Sequence, residues 1–224
     1  MQAKIAEIFK SIQGEGVYQG VEQVFVRFYG CNLKCKFCDT QLTNYEELEA
    51  PELVNKISEF GKGYHSISLT GGEPLLQVDF LKELLPIMKT TGAKVYLETN
   101  GILYQELSRV IDFVDITAMD FKLPSSTGMP AFWQEHEKFL RAALKKEVFV
   151  KVVVLNSTRG KDIHKSINLI RSFNKDIPLV FQPEFSEMKQ EELINKLQNY
   201  KNLAAQYLKN VLILPQQHKL QGVK

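Results

Sequence analysis

The segment VFVKVVVL, at residues 148–155, is nearly continuous in apolar residues. Strands that are buried on both faces of a parallel sheet have this composition, because helices cover both of those faces. Other β-rich segments recur along the chain, and segments with the hydrophobic period of a helix separate them. This alternation predicts an α/β fold in which helical crossovers join parallel strands.

The alternation extends over nearly the whole chain and predicts one domain, residues 1–224. Strands are expected at residues 23–29, 66–70, 94–99, 113–121, 148–155, 179–182 and 211–214. Helices are expected at residues 51–60, 79–91, 103–111, 130–146, 162–174 and 191–209, with a loop at residues 123–130. Seven strands are too few for a complete eight-unit barrel, so we expect an open or partial barrel.

Composition and charge exclude several classes of protein. The 224 residues are 44% hydrophobic and 24% charged, which is typical of a globular domain rather than a disordered chain. The net charge of +2 argues against a protein built mainly to bind nucleic acid. The apolar runs are too short to span a bilayer, and residues 1–20 contain no apolar signal core, so we expect a cytoplasmic protein without membrane contact.

Three cysteines, Cys31, Cys35 and Cys38, lie within the segment GCNLKCKFCDT that follows the first predicted strand. An odd number of clustered cysteines in a reducing compartment points to a metal or a cluster rather than to a disulfide framework. Three thiolates would leave one iron of a [4Fe–4S] cube without a protein ligand. Zinc bound with a distant histidine, or three unliganded thiols, are the alternatives that the spacing leaves open.

Polar residues follow four of the predicted strands, where the chemistry of parallel α/β sheets is found. The sequences are GGEP at residues 71–74, ETNG at 98–101, DFK at 120–122 and QPE at 182–184. The glycines of GGEP allow a ligand to approach the backbone closely, and Glu73 can accept a hydrogen bond from an ammonium group. Taken singly, each could also be a turn, a helix cap or a solvated loop.

The C-x3-C-x2-C spacing with an aromatic residue before the last cysteine resembles the radical S-adenosylmethionine (SAM) enzymes. The resemblance implies a partial (β/α)6-type barrel, open, with some abbreviated helices in a chain of this length. It implies a [4Fe–4S] cluster on the three cysteines, whose open iron binds SAM, and reductive cleavage of SAM to a 5′-deoxyadenosyl radical. No side chain is then needed as a catalytic acid or base. The SAM-binding residues implied are Phe37, Cys38, Asp39, Gly72, Glu73, Glu98, Asp120, Phe121, Lys122 and Gln182.

Within that superfamily, SIQGEG at residues 11–16, FVRFYGCNLKCKFCDT at 25–40 and the ending LPQQHKLQGVK are similar to the family of 7-carboxy-7-deazaguanine synthases. The similarity implies ring contraction of 6-carboxy-5,6,7,8-tetrahydropterin with loss of ammonia, in queuosine or deazapurine biosynthesis, with SAM regenerated. It implies a substrate loop at residues 11–20, a C-terminal tail at 211–224, and Mg²⁺ on Thr40. The substrate-binding residues implied are Ile12, Gln13, Gly14, Glu15, Arg27, Thr70, His218 and Lys224, the last through its terminal carboxylate.

The same resemblance implies two protein partners, a reductant such as flavodoxin or ferredoxin and a second copy of the chain. Two other functions remain open from the sequence. One is a small radical SAM activase that makes a glycyl radical on a partner protein. The other is a non-enzymatic zinc or electron-transfer module, which would have no use for GGEP. The pairing of SIQGEG with Arg27, which offers a two-pronged donor to a carboxylate, favours the pterin enzyme.

Overall fold

Nine strands form one sheet in the computed structural model, which describes residues 1–40 and 42–222. They are β1 Gln2–Ile12, β2 Glu22–Phe28, β3 Glu46–Glu49, β4 Ser66–Gly71, β5 Lys94–Thr99, β6 Ile116–Asp120, β7 Glu147–Val154, β8 Leu179–Pro183 and β9 Val211–Ile213. The order in the sheet is β3-β1-β2-β4-β5-β6-β7-β8-β9. From β2 to β9 every neighbouring pair is parallel, so the seven predicted strands and the open α/β architecture are confirmed.

Two antiparallel strands were not predicted. β1 pairs with β2, and β3 pairs with β1 at one edge of the sheet. The β1 sequence mixes Lys and Glu among its apolar residues, and β3 reads EELE, a composition depleted in strands. The expected loop at residues 11–20 therefore begins inside β1 and contains a short 3-10 turn at Gly16–Tyr18.

Eight helices connect or flank the strands within the described ranges. They are α1 Ala50–Ser58, α2 Val78–Thr90, α3 Tyr104–Val110, α4 Pro124–Thr127, α5 Trp133–Ala143, α6 Gly160–Phe173, α7 Glu191–Ala205 and α8 Gln217–Gln221. Several are short, as expected for a chain of this length. The loop predicted at residues 123–130 is wrong for its first half, where α4 forms at Pro124–Thr127 with the side chains of Ser126 and Thr127 buried.

Helices cover the sheet and bury a core of Val, Ile, Leu and Phe side chains. Every residue of β6 and β8 is buried, as in the central strands of parallel sheets. The open sheet places the carboxyl ends of its parallel strands along one side, next to the loop after β2. No helix in the described part of the chain is both long enough and apolar enough to cross a membrane.

Candidate active site

A cavity of about 960 Å³ lies where the parallel strands end. This volume is at the upper end of the range for small-molecule and cofactor sites. Its walls come from β1, β2 and the loop after β2, from the ends of β4, β5, β6 and β8, from β7, and from the chain segments around Gly14 and His218. The fold therefore brings both ends of the sequence to the same cavity as the cysteines.

Most of the predicted site residues line this cavity. They are Ile12, Gln13, Gly14, Glu15, Arg27, Cys31, Cys35, Phe37, Cys38, Asp39, Thr40, Thr70, Gly72, Glu98, Asp120, Lys122, Gln182 and His218. Two predicted residues, Glu73 and Phe121, do not line it. The prediction for Lys224 lies outside the described residues.

The three cysteines lie on one loop as free thiols, with Cys31 and Cys38 exposed and Cys35 half-buried. Burial raises the pKa of Cys31, and it raises the pKa of Cys35 to about 11, so both thiols keep their protons at neutral pH. Metal binding would have to displace those protons. Across residues 1–40 and 42–222, no group of three or more His, Cys, Asp or Glu side chains is close enough together to hold a metal ion.

Backbone hydrogen bonds fix the cysteine loop against the GGEP segment. The amides of Gly72 and Glu73 donate to the carbonyls of Phe28 and Gly30 at 3.0 and 2.9 Å. A β-carbon on Gly72 would overlap the carbonyl group of Gly30, so only glycine permits this approach. A third hydrogen bond attaches the cysteine loop to α4, where the amide of Lys36 donates to the carbonyl of Thr127 at 3.0 Å.

Glu73 lies beneath the GGEP turn and does not line the cavity, so its contact with SAM stays a prediction. Its fully buried carboxylate accepts hydrogen bonds from the Thr99 hydroxyl at 2.9 Å and from the Asn100 amide at 2.8 Å. Burial raises the pKa of Glu73 to about 7, although these hydrogen bonds act in the opposite direction. The Glu73 carboxylate links the ends of β4 and β5, and protein groups already donate hydrogen bonds to it.

Phe121 is likewise directed into the core instead of the cavity. Its ring is 1% exposed and stacks on His136 of α5, with ring centroids 4.7 Å apart. The residues on either side of it, Asp120 and Lys122, do line the cavity and form an ion pair at 2.7 Å. The DFK sequence thus contributes its two charged residues to the site and its aromatic residue to packing.

Four buried charged side chains lie in a row along the cavity, namely Glu15, Lys151, Asp120 and Lys122. Lys151 of β7 pairs with Glu15 of the substrate loop and lies 3.6 Å from Asp120 Oδ2. Burial alone would raise the pKa of Glu15, but Lys151 outweighs this effect, aided by a hydrogen bond from Gln216, and lowers the pKa to about 2. The charge of Glu15, together with Asp120, raises the pKa of Lys151 against the effect of burial. Glu15 is therefore a fixed anion and Lys151 a fixed cation.

Gln13 and Glu98 form a second polar group on the substrate-loop side. Gln13 Nε2 donates to Glu98 at 2.8 Å and to Gln23 at 2.9 Å, while Gln13 Oε1 accepts from the amide of Glu15 at 3.0 Å. The Thr70 hydroxyl donates to Glu98 at 2.8 Å. Glu98 was predicted to bind SAM, but two of its hydrogen-bond partners, Gln13 and Thr70, are residues predicted to bind substrate, and the third is Ser68 at 3.1 Å.

The C-terminal segment covers the substrate loop. The amide of Gln217 donates to the carbonyl of Gly14 at 2.8 Å, and Gln216 Nε2 donates to Glu15 at 2.6 Å. The His218 ring lies so close to Gly14 that a β-carbon there would overlap it. Lys219 of α8 pairs with Asp39 of the cysteine loop, so this segment bridges both halves of the site.

Two buried acceptors in the cavity suit a ligand that carries hydrogen-bond donors. Asp120 Oδ1 and Gln182 Oε1 have no hydrogen-bond partner among the described residues. Buried polar atoms are seldom left unpaired, since the loss of hydration is costly. The amino group and ribose hydroxyls of SAM supply donors of this kind, and the three thiols supply the donor set that an open [4Fe–4S] cluster requires. In the chemical type of their donors and acceptors, the residues present therefore fit both groups.

Several cavity residues were not predicted from the sequence. Lys151 is the most informative, because a single charge within an apolar strand needs a buried partner, and that signal was available in VFVKVVVL. Tyr96 and Phe149 form an apolar wall, with ring centroids 6.4 Å apart, and Gln216 binds Glu15. Apolar residues of this kind look the same in sequence whether they face a core or a cavity.

Comparison with known proteins supports these observations. Residues 25–158 match the model of the Radical SAM superfamily. The chain is 36% identical to the 7-carboxy-7-deazaguanine synthase of Geobacter sulfurreducens, over 98% of this chain and 97% of the relative. It is 35% identical to the enzyme of that name from Archaeoglobus fulgidus, with both chains covered completely.

Among solved structures, the crystal structure of QueE from Escherichia coli has a similar fold. The TM-score is 0.66 at 20% identity, and the match covers 97% of this chain and 95% of that chain. Sequence relatives of near-equal length, together with the superfamily match, establish that this chain belongs to the radical SAM superfamily and, within it, to the 7-carboxy-7-deazaguanine synthase family.

Proposed function

We propose that this chain is a radical SAM lyase that converts 6-carboxy-5,6,7,8-tetrahydropterin to 7-carboxy-7-deazaguanine by ring contraction with loss of ammonia. The reaction belongs to queuosine and deazapurine biosynthesis. The observation that carries the proposal is one cavity that joins the cysteine loop to a second, charged half built from the substrate loop and Arg27. The family of the chain supports the same substrate.

Membership of the superfamily implies a [4Fe–4S] cluster and SAM as cofactors. Cys31, Cys35 and Cys38 would hold the cluster and leave one iron open to SAM. When bound, these cofactors supply a carbon radical that can remove a hydrogen atom from the substrate, chemistry that side chains do not provide. The residues of the chain bind, orient and shield the reactants.

On the SAM side, the chain offers acceptors and a fixed cation. Asp120 Oδ1 and Gln182 Oε1 are the buried acceptors suited to the amino group or ribose hydroxyls. Lys122 is paired with Asp120 and lies 5.5 Å from the Phe37 ring, at a position where a cation would attract the SAM carboxylate. Gly72 has no side chain, so its backbone can pack directly against the cysteine loop at Gly30.

On the substrate side, the charges are arranged for a carboxylated pterin. Arg27 of β2 provides a planar fork for the carboxylate, with its guanidinium group 5.6 Å from the Phe9 ring. Glu15 and Glu98 are acceptors for the N–H groups along the edge of the pterin. His218 lies over Gly14 and lines the cavity beside this half.

We further propose that Thr40 contributes a ligand to Mg²⁺, since a hydroxyl in the cavity wall next to Asp39 suits a hard cation that uses few protein ligands. A small acidic electron carrier such as flavodoxin or ferredoxin is a suitable reductant, because Lys34 and Lys36 are exposed beside the cysteines. We also propose a homodimer, in which exposed apolar side chains such as Leu212 would be covered.

The proposal is tested by turnover under anaerobic conditions. Protein reconstituted with iron and sulfide is given dithionite, SAM and Mg²⁺, with or without 6-carboxytetrahydropterin, and the products are identified by mass spectrometry. We expect 7-carboxy-7-deazaguanine and ammonia with SAM retained. Cleavage of SAM without conversion of the pterin would contradict the proposal and favour the glycyl-radical activase. A protein that binds zinc and neither ligand would contradict both.

A further inference from the structure

Lys151 occupies an unusual position for a lysine. It lies in the middle of β7, and its side chain is 15% exposed and lines the cavity. A buried ammonium group is costly unless it is paired. Two carboxylates supply the pairing, Glu15 from the substrate loop and Asp120 from the end of β6. Lys151 is thus the charged residue that links the substrate loop to strands β6 and β7 of the sheet.

The two carboxylates depend on Lys151 to different degrees. Asp120 Oδ2 has Lys122 at 2.7 Å and lies farther, at 3.6 Å, from Lys151. Glu15 has Lys151 as its only ion-pair partner within the ranges that the structure describes. Loss of Lys151 would therefore leave Asp120 paired and Glu15 without its cation.

Three contacts fix Glu15 in direction as well as in charge. Lys151 binds Oε2, Gln216 donates to Oε1 at 2.6 Å, and the Glu15 amide donates to Gln13 at 3.0 Å. Of these, only Lys151 comes from a strand of the sheet, so it ties the loop to rigid structure. The charged or titratable groups around this pair are Tyr96, His218, Glu98, Asp120 and Lys122.

We propose that Lys151 is a positioning residue for the pterin, which acts by holding the Glu15 carboxylate in the cavity and contributes little to SAM binding. The inference rests on the proposed function, because it requires that Glu15 face the substrate. It predicts a separation of the two ligand affinities that a general loss of folding would not produce. It also predicts that Lys151 has no effect on the pterin once Glu15 no longer carries a charge.

The test measures two dissociation constants by calorimetry on the reconstituted protein, with SAM and with the stable analogue 6-carboxypterin as probes. Lys151→Met should raise the Kd for 6-carboxypterin at least about tenfold and the Kd for SAM less than about threefold. Lys151→Gln, which keeps a polar group in the buried position, is measured in parallel in case the Met variant does not fold. Lys89→Met is the matched control, since Lys89 is paired with Asp115 at 2.6 Å outside the cavity, and it should change neither constant.

A double-mutant cycle with Glu15→Gln separates positioning from a direct contact. In the Glu15→Gln background, Lys151→Met should change the Kd for 6-carboxypterin by less than about twofold. Additive losses, an unchanged Kd for 6-carboxypterin in Lys151→Met, or equal losses for both probes would overturn the inference and leave the proposed function standing. Wild-type protein that binds SAM but not 6-carboxypterin would overturn the proposed function and the inference together.

Discussion

Arg27 lies at the end of β2, immediately before the cysteine loop, and shows how one residue can be assigned to one half of the cavity. Its Nε atom is 3.3 Å from Glu7 Oε2, and its guanidinium group packs near the Phe9 ring. Both neighbours come from β1, while the base of the Arg27 side chain lies beside Gly71, where an added β-carbon would be 3.0 Å from Arg27 Cγ. We therefore propose that the guanidinium group acts on the substrate rather than on SAM.

Arg27→Ala should raise the Kd for 6-carboxypterin at least about tenfold, because a charge-assisted pair to the carboxylate is lost. The Kd for SAM should change by less than about threefold, since the ion-pair and ring partners of Arg27, Glu7 and Phe9, both lie in β1. Calorimetry on the reconstituted protein measures both constants, with Arg109→Ala, an arginine paired with Asp79 outside the cavity, as the control. Equal losses for the two ligands would mean that Arg27 is structural.

At the scale of secondary-structure elements, the contact between the cysteine loop and the end of β4 depends on Gly72. Gly72→Ala would drive a methyl group into the carbonyl of Gly30, so the loop backbone must move and its hydrogen bond to Glu73 is lost. We expect a lower melting temperature and fewer irons retained per chain after reconstitution. The matched control is Gly160→Ala at the start of α6, where a β-carbon meets only ordinary contact at 3.9 Å. Iron content equal to wild type in Gly72→Ala would contradict this account of the contact.

The elements also show how much of this molecule could be predicted. The seven parallel strands have strong local signals, because burial on both faces produces apolar runs such as VFVKVVVL. β1 and β3 lack such a signal, since β3 is an edge strand rich in Glu and β1, which joins it to β2, has Lys and Glu among its apolar residues. α4 was read as a loop because its four residues PSST are poor helix formers, and it is stabilised by contacts such as that of Ser125 with Asp162 in α6.

Among the site residues, too, those with local sequence signals could be predicted, and those that depend on partners distant in sequence could not. The cysteine spacing and the polar residues after the strands are local in sequence, so their presence in one cavity could be predicted from the rule that parallel strands end on the same side. The orientation of Glu73 and Phe121 could not, because it depends on donors and rings supplied by β5 and α5. Lys151 was missed because its partners are far from it in sequence.

At the scale of the whole molecule, buried titratable groups make stability depend on pH. His136 is 0% exposed, and burial lowers its pKa from 6.5 to about 4. Between these values the unfolded chain binds a proton that the folded chain does not, so His136 makes stability fall as pH falls from 6.5 towards 4. Glu73 acts in the opposite direction, because its pKa is raised to about 7 and its proton stabilises the folded state below that pH.

Replacing His136 removes one of these opposing contributions. Between pH 7 and pH 5, wild type should lose about 2 kcal/mol more of its free energy of unfolding than His136→Gln does. Glu73 is present in both proteins, so its contribution cancels in the comparison. Urea denaturation of the cluster-free proteins at the two pH values measures the difference. The same pH dependence in both proteins would show that His136 does not stay neutral in the fold.

The whole account depends on an iron–sulfur cluster that three cysteines hold with one iron open to SAM. Mössbauer spectroscopy of protein reconstituted with ⁵⁷Fe tests this most directly, with Cys35→Ala as the variant that should no longer hold the cluster. We predict four irons per chain in a [4Fe–4S] cluster, and a spectral change at one of the four on addition of SAM. Four iron sites that are all unaffected by SAM, or a cluster retained unchanged in Cys35→Ala, would contradict the account.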